Sequence, residues 1–247
     1  MRIDSNWLVR SKPQPTAGCR LLCLPYAGGS ASLFHDWPVR LPELDVLAVQ
    51  PPGRANRLAE PACLEMEHYI EGLLEAVLPQ LDRRWMLFGH SMGALAGYAL
   101  LQRLHADGQP LPSHFFISAS RGPHVKERIR PISHLEDDDF IRELKKLNGT
   151  PPEVLENREL IQFCLPFIRA DFKVIEDYLI DSFEPLPVKP VMLCGISDEI
   201  KAEEMQAWDQ LFQYPGELNT FSGDHFFLHE ESNSIGIIEI IRQGLDA

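Results

Sequence analysis

The sequence lacks the cysteine patterns of a metal site or a disulfide framework. Its 247 residues include five cysteines, an odd number, with no Cys-x-x-Cys pair and no nearby group of Cys and His ligands. A structural zinc site needs such a group, so we expect no metal. Three of the cysteines lie in or beside apolar runs, which favours buried thiols in a reducing compartment. The five are Cys19, Cys23, Cys63, Cys164 and Cys194.

Basic side chains and long apolar runs are also scarce. The chain has 23 Lys and Arg residues against 36 Asp and Glu residues, a formal net charge of −13. This balance argues against non-specific nucleic-acid binding, which needs a basic surface, and against docking on an anionic membrane. No apolar run is long enough to span a bilayer. The first eighteen residues lack the continuous apolar segment of a secretory signal, so we expect a soluble, cytoplasmic protein.

Strand-like and helix-like segments alternate along the rest of the chain. The strand-like runs are Arg20–Pro25, Val46–Gln50, Trp85–Phe88, Phe115–Ala119, Val191–Cys194 and Leu218–Phe221. The helix-like segments between and after them are Leu64–Leu81, Met92–Leu104 and Ile235–Leu245, the last preceded by possible caps at Ser232, Asn233 and Ser234. This alternation predicts an α/β fold with a mainly parallel central sheet and helices on both faces. Ligands bind such sheets at the carboxyl ends of the strands.

One helical stretch interrupts this alternation between about residues 124 and 181. Ser133-His134-Leu135-Glu136 fits a capping box that opens a helix toward Leu147. A second helix is predicted over Arg158–Asp181, and Pro166 should kink or split it. We expect a single domain, residues 1–247, in which this helical insertion forms a lid over the strand ends. The alternative is a set of peripheral packing helices without a gating role.

Gly89-His90-Ser91-Met92-Gly93 matches the G-x-S-x-G pattern of a nucleophile elbow. It follows a strand-like run and precedes a helix-like one, which is the setting in which this pattern carries chemistry. A side chain at either glycine would clash in such a sharp turn. We therefore predict that Ser91 is a catalytic nucleophile. The alternative is a glycine-rich turn whose serine only caps the helix.

A nucleophilic serine needs a base and an orienting acid, which follow it in the order acid, then histidine, in this architecture. His225 comes directly after the last strand-like run and is the predicted base, with His229 as the second choice. Asp198 follows the fifth run and is the predicted acid, with Glu199 as the local alternative. Asp224 is expected to point away from the neighbouring histidine.

The oxyanion of the intermediate needs two backbone N–H donors. One should come from Met92, the residue after the nucleophile. The other should come from the glycine-rich loop after the first strand-like run, where Ala27 is the first choice and Gly28 the second.

With these residues placed, the chain resembles the type II (external, proofreading) thioesterases of nonribosomal peptide and polyketide synthesis, which are free-standing α/β-hydrolases. The resemblance runs from Trp7 to the C-terminal helix. Its blocks are Leu24–Ser30, Trp37, Gln50–Arg54 with Arg57, Gly89–Gly93, Ser118–His124, Asp198 with Trp208, and Gly223–Leu228.

The resemblance implies an α/β-hydrolase fold with a helical lid, and hydrolysis of acyl or aminoacyl thioesters on the phosphopantetheine arm of carrier domains. It implies editing of misprimed carriers or release of an intermediate, with no cofactor beyond the arm of the substrate. We expect a monomer. Arg54, Arg57 and Arg121 are candidates for contact with the phosphate of the arm or with carrier acids. The competing hypotheses are a small-molecule carboxylester hydrolase or peptidase with the same triad, and a non-catalytic binding module.

Overall fold

The computed structural model describes residues 6–126, 130–147 and 152–246, and a sheet of seven strands runs through them. In space the order is β1-β3-β2-β4-β5-β6-β7, and every neighbouring pair is parallel except β1 with β3. The strands are β1 (Leu8–Val9), β2 (Cys19–Leu24), β3 (Leu44–Val49), β4 (Arg84–His90), β5 (His114–Ser118), β6 (Lys189–Gly195) and β7 (Glu217–Phe221).

The central strands are buried on both faces, which explains why they are continuous apolar runs in the sequence. β2, β3 and β5 are buried at every position. Helices α2 (Met66–Val77) and α3 (Met92–Ala106) cover one face. Helices α1 (Trp37–Arg40) and α8 (Glu231–Asp246) cover the other. The predicted α/β architecture is therefore confirmed.

The chain between β5 and β6, hereafter the insertion, contains α4 (Asp137–Leu147), α5 (Pro152–Glu156) and α6 (Arg158–Asp177). A short helix, α7 (Ala202–Met205), follows β6. The insertion has an apolar cluster of its own, which joins residues of α4 to residues of α6. Its buried members include Phe140, Leu144, Ile161, Leu165, Ile168 and Phe172.

Two local predictions for the helices of the insertion were wrong. Ser133 does not cap α4, because its hydroxyl and backbone N–H bind the carboxylate of Glu176 and the helix begins only at Asp137. The predicted end at Asp181 was wrong, because the helix containing Pro166 ends at Asp177. It is continuous through the proline, with Leu165 and Phe167 buried on either side, which excludes the split but not the kink.

Two further features differ from the sequence expectations. The proposed caps at 232–234 lie inside α8, which begins at Glu231. The two-residue strand β1 is too short to show a hydrophobic period, so no prediction covered it.

The state of the cysteines and the length and polarity of the helices can be compared with the sequence expectations. All five cysteines are unpaired, and Cys19, Cys23 and Cys194 are buried as predicted. Across the described ranges, each helix is either too short or too polar to serve as a transmembrane span.

Candidate active site

Ser91 lies on a strained turn between the end of β4 and the start of α3. Its φ of 54° and ψ of −115° place a non-glycine residue in a region that side chains rarely adopt. Its backbone N–H donates to the Ser118 carbonyl at 2.8 Å, which ties the turn to β5. A Cβ atom at Gly89 would lie 2.3 Å from the Gly93 carbonyl oxygen, and one at Gly93 would lie 2.2 Å from that of Leu24. The turn therefore requires both glycines of the motif.

His225 and Asp198 are paired at the carboxyl ends of the neighbouring strands β7 and β6. Nδ1 of His225 lies 3.0 Å from Oδ2 of Asp198. The carboxylate is 2% exposed and the imidazole 24%. The other carboxylate oxygen, Oδ1, accepts the Ile200 N–H at 3.1 Å, so both oxygens are held. This arrangement fixes the imidazole with Nδ1 toward the acid and leaves Nε2 for proton transfer.

The loops that carry this pair are packed directly against each other. The Ser197 N–H donates to the Gly223 carbonyl at 2.9 Å. A Cβ atom at Gly195 would lie 2.4 Å from the Asp224 carbonyl oxygen, so only a glycine permits the approach. Backbone contacts therefore bring the acid and the histidine together although they are far apart in sequence.

The structure places the alternative residues differently. Nε2 of His229 lies 3.0 Å from the Tyr26 hydroxyl, so this histidine is bound to the wall of the site. Glu199 is exposed, whereas Asp198 beside it is buried. Oδ1 of Asp224 accepts the Phe226 N–H of its own loop at 2.9 Å.

The two expected oxyanion donors lie at the same place. Met92 is the first residue of α3, where backbone N–H groups have no acceptor within the helix. Ala27 is half-buried, and with Met92, Ser91 and His225 it lines one cavity. Gly28 is different, because its N–H already donates to Oδ2 of Asp171 at 2.7 Å. This bond leaves Ala27 as the better candidate in the loop.

The cavity above these residues has a volume of about 800 Å³ and is walled largely by the insertion. Its apolar wall includes Leu95 from α3 together with Ile132, Leu144, Ile168, Phe172 and Ile175 from the insertion. Arg121 and Lys146 are among its polar lining residues. An acyl chain can therefore lie against apolar side chains while its carbonyl carbon reaches Ser91. Within the described ranges, no group of three or more His, Cys, Asp or Glu side chains is arranged to hold a metal ion.

Comparison with known proteins identifies the family. The family model described as a thioesterase domain matches residues 19–245. The chain belongs to the thioesterase family. It is therefore an enzyme of the class that hydrolyses thioesters, and its fold is the α/β-hydrolase type that the sequence predicted.

Similar proteins cover nearly the whole thioesterase. It is 38% identical over 241 residues to linear gramicidin dehydrogenase LgrE of Brevibacillus parabrevis, covering 95% of this chain and 92% of that protein. It is 33% identical to thioesterase PikA5 of Streptomyces venezuelae, covering 95% and 85%. The solved structure of the type II thioesterase BorB from the borrelidin biosynthetic cluster matches with a TM-score of 0.88 at 33% identity, covering 99% and 100%. The first name refers to a dehydrogenase, whereas the family model and the other two names agree on a thioesterase.

All three arginines considered from the sequence have acidic partners in the thioesterase, and two of them are also buried. Arg54 is 4% exposed and forms an ion pair with Asp171 on α6. Arg57 is 6% exposed, pairs with Glu60 and donates to the Gln50 carbonyl at 2.9 Å. Neither guanidinium is available to a phosphate, so that hypothesis was wrong for both.

Arg121 does line the cavity, and its Nε donates to Oε1 of Glu204 at 2.6 Å. It also donates to the Glu199 carbonyl at 3.3 Å, which holds the loop that carries Asp198.

Sequence reasoning missed the histidine within the motif itself. His90 is fully buried, and its Nδ1 lies 2.8 Å from the Ser118 hydroxyl. Burial lowers the pKa of His90 well below its ordinary value, and the nearby His225 and His229 lower it further. His90 is therefore a neutral hydrogen-bonding group beneath the site. In the sequence, the only sign of its burial is its place at the end of the strand β4.

Proposed function

We propose that this thioesterase hydrolyses acyl or aminoacyl thioesters on the phosphopantetheine arm of carrier domains in nonribosomal peptide or polyketide synthesis. The observation that carries the proposal is the arrangement of Ser91 on its strained turn in one cavity with His225, which is paired with buried Asp198. The similarity to PikA5 and to BorB of a biosynthetic cluster supports the carrier-bound substrate.

The proposed acylation step begins with attack of the Ser91 hydroxyl oxygen on the thioester carbonyl carbon. Nε2 of His225 takes the hydroxyl proton, and Asp198 stabilises the imidazolium that forms. The negative charge moves to the carbonyl oxygen, where the N–H groups of Met92 and Ala27 donate hydrogen bonds. The carbon–sulfur bond then breaks, and His225 returns its proton to the departing thiol of the arm.

The proposed deacylation step repeats this chemistry with water. His225 removes a proton from the water molecule as its oxygen attacks the acyl-serine ester. Collapse of the second oxyanion breaks the ester bond, regenerates the Ser91 hydroxyl and releases a carboxylic acid. The insertion acts as a lid that admits the arm, and its apolar side chains bind the acyl group. The biological role that fits this chemistry is editing of misprimed carriers or release of an intermediate.

The experiment is hydrolysis of an acetyl group from a phosphopantetheinylated carrier, followed by the mass of the intact carrier. Wild type should remove the acetyl group, whereas Ser91→Ala should lose at least about 10⁴-fold in rate. Ser113→Ala, at the opposite end of the sheet, is the matched control and should keep the wild-type rate.

A comparison of substrates separates this proposal from a general esterase or peptidase. The same acyl group is offered on the carrier, on a short free thiol and as an oxygen ester. The proposal requires a higher kcat/KM on the carrier. Equal or better turnover of the free esters, or an unchanged carrier after incubation with folded wild type, contradicts it.

We also propose that the enzyme works as a monomer in the cytoplasm and needs no cofactor of its own. The proposed reaction draws its nucleophile, base and acid from Ser91, His225 and Asp198 and calls on no further group. The unpaired cysteines support a reducing compartment. Light scattering during gel filtration checks the monomer, and activity after exhaustive dialysis against a chelator checks the cofactor.

A further inference from the structure

Arg54 and Asp171 form a buried ion pair next to the catalytic cavity. Arg54 lies on the loop after β3, and Asp171 lies on α6 of the insertion, 117 residues away. Nη2 of Arg54 donates to Oδ1 of Asp171 at 2.6 Å, and Nη1 donates to Oδ2. The two side chains are 4% and 3% exposed. The guanidinium also lies over the ring of Phe167, 4.8 Å from its centroid.

The same two residues hold the loop expected to supply an oxyanion donor. Asp171 accepts the Gly28 N–H at 2.7 Å, and Arg54 donates to the Gly29 carbonyl at 3.2 Å. Within the loop, the Gly29 N–H donates to the Tyr26 carbonyl at 2.9 Å, which closes a turn with Ala27 and Gly28 at its centre. The conformation of the turn depends on Gly28, whose φ is 79°.

These bonds fix the orientation of the Ala27 N–H. It belongs to the peptide group that contains the Tyr26 carbonyl, and that carbonyl is held by Gly29. The next peptide group contains the Gly28 N–H, which is held by Asp171. Because both peptide planes beside Ala27 are held, the direction of its N–H is set before a substrate binds. Such preorganisation is what makes an oxyanion donor effective.

Stability alone does not account for burying this pair. Replacing a buried ion pair by apolar side chains is often neutral or stabilising, whereas removing one partner is costly. We infer that Arg54 and Asp171 are positioning residues that hold the Tyr26–Gly29 turn in the geometry needed to bind the oxyanion. This inference rests on the proposed role of Ala27 in the reaction.

The test measures oxyanion stabilisation separately from folding. Asp171→Asn is compared with Asp45→Asn, which breaks the buried Arg20–Asp45 pair within the sheet, away from the residues that line the cavity. Active sites are counted by labelling with a fluorophosphonate, so that rates refer to folded enzyme. We expect Asp171→Asn to lower kcat per labelled site by about 10²-fold with little change in KM, and Asp45→Asn to leave both unchanged.

Two ligands provide a readout that loss of structure would not reproduce. A trifluoromethyl ketone forms a tetrahedral oxyanion adduct with the serine, whereas an amide analogue of acyl-pantetheine binds without reaction. Asp171→Asn should lower the binding affinity of the ketone by the same factor as it lowers kcat. It should leave the binding affinity of the amide unchanged. Equal effects on both ligands, or unchanged kcat per labelled site, overturn the inference.

A double variant keeps the inference testable if the single variant Asp171→Asn does not fold. Arg54→Met with Asp171→Met removes both charges, so we expect it to fold and to retain the kinetic defect. Full activity of the folded double variant overturns the inference. If wild type cleaves only simple esters, the proposed carrier substrate fails, and the same comparison made on those esters still decides the role of the pair.

Discussion

Asp198 is the side chain that binds Nδ1 of His225. Replacing that carboxylate by an amide keeps the shape but adds an N–H donor, which favours the wrong tautomer of the imidazole. We expect Asp198→Asn to lower kcat by about 10⁴-fold without loss of folded protein. Steady-state rates on an acylated carrier, with circular dichroism to check the fold, measure this effect. Glu199→Gln is the matched control, and a larger loss there than in Asp198→Asn would reverse the assignment of the acid.

A second prediction at the scale of residues concerns His90, whose burial makes the free energy of unfolding depend on pH. Its pKa is lowered in the folded protein, whereas in the unfolded chain it lies near 6.5. Below about pH 6.5 the unfolded chain therefore binds a proton that the folded protein does not. The stability present above that pH is lost as the pH falls, by up to about 1.4 kcal/mol per pH unit from this residue.

His90→Asn keeps a hydrogen-bonding partner for Ser118 and removes this titration. Urea unfolding of both proteins at about pH 7.5, 6.5 and 5.5 compares the slopes. We expect a shallower decline for His90→Asn on the acidic side. Parallel curves would mean that His90 takes up its proton over the same pH range in the folded protein as in the unfolded chain.

Residues of the site differ in how far the sequence revealed them. The Ser91 turn was predictable because its chemistry requires two glycines at fixed spacing, and the close contacts at Gly89 and Gly93 show why. The pair of Arg54 with Asp171 was not predictable. It joins two elements 117 residues apart, and neither residue has a local signal of burial.

At the level of elements, the Ser91 turn requires α3 to approach β2 closely. A methyl group at Gly93 would overlap the Leu24 carbonyl oxygen, so β2 or α3 would have to shift. We expect Gly93→Ala to lower the free energy of unfolding by about 1–3 kcal/mol or more and to abolish fluorophosphonate labelling.

Gly18→Ala is the matched control, since a Cβ atom there meets nothing within 4 Å. It should retain stability and labelling. Chemical denaturation and a gel-based labelling assay measure both variants. Normal labelling of Gly93→Ala would show that the turn tolerates a side chain.

Strands were easier to predict than the ends of helices. A strand buried on both faces is a continuous apolar run, so β2 to β5 are visible without knowledge of their neighbours. The start of α4 was misplaced because Glu176, far along the chain, binds Ser133. Local backbone groups and distant side chains compete to bind a potential capping residue such as Ser133. The sequence motif shows only the local partners.

At the level of the whole molecule, the net charge of −13 bears on how the proposed carrier would dock. Carrier domains are usually acidic, so the two partners repel at long range. Salt at physiological strength screens this repulsion beyond about 8 Å. We expect docking through a local, mainly apolar patch near the cavity mouth. The value of kcat/KM on a carrier should then stay flat or rise between about 50 and about 500 mM NaCl. A steep fall with salt would instead indicate attraction between opposite charges.

The buried pair also limits how this enzyme can be recombined with its relatives. Asp171 belongs to the insertion, whereas Arg54 belongs to the loop after β3. An insertion transplanted from a relative must therefore supply a carboxylate that pairs with the Arg54 guanidinium. A chimera with an apolar side chain at position 171 should regain expression, but not turnover, when Arg54 is replaced by methionine. Measuring both quantities in such chimeras would separate the parts of the fold that can be exchanged freely from those that must be inherited together.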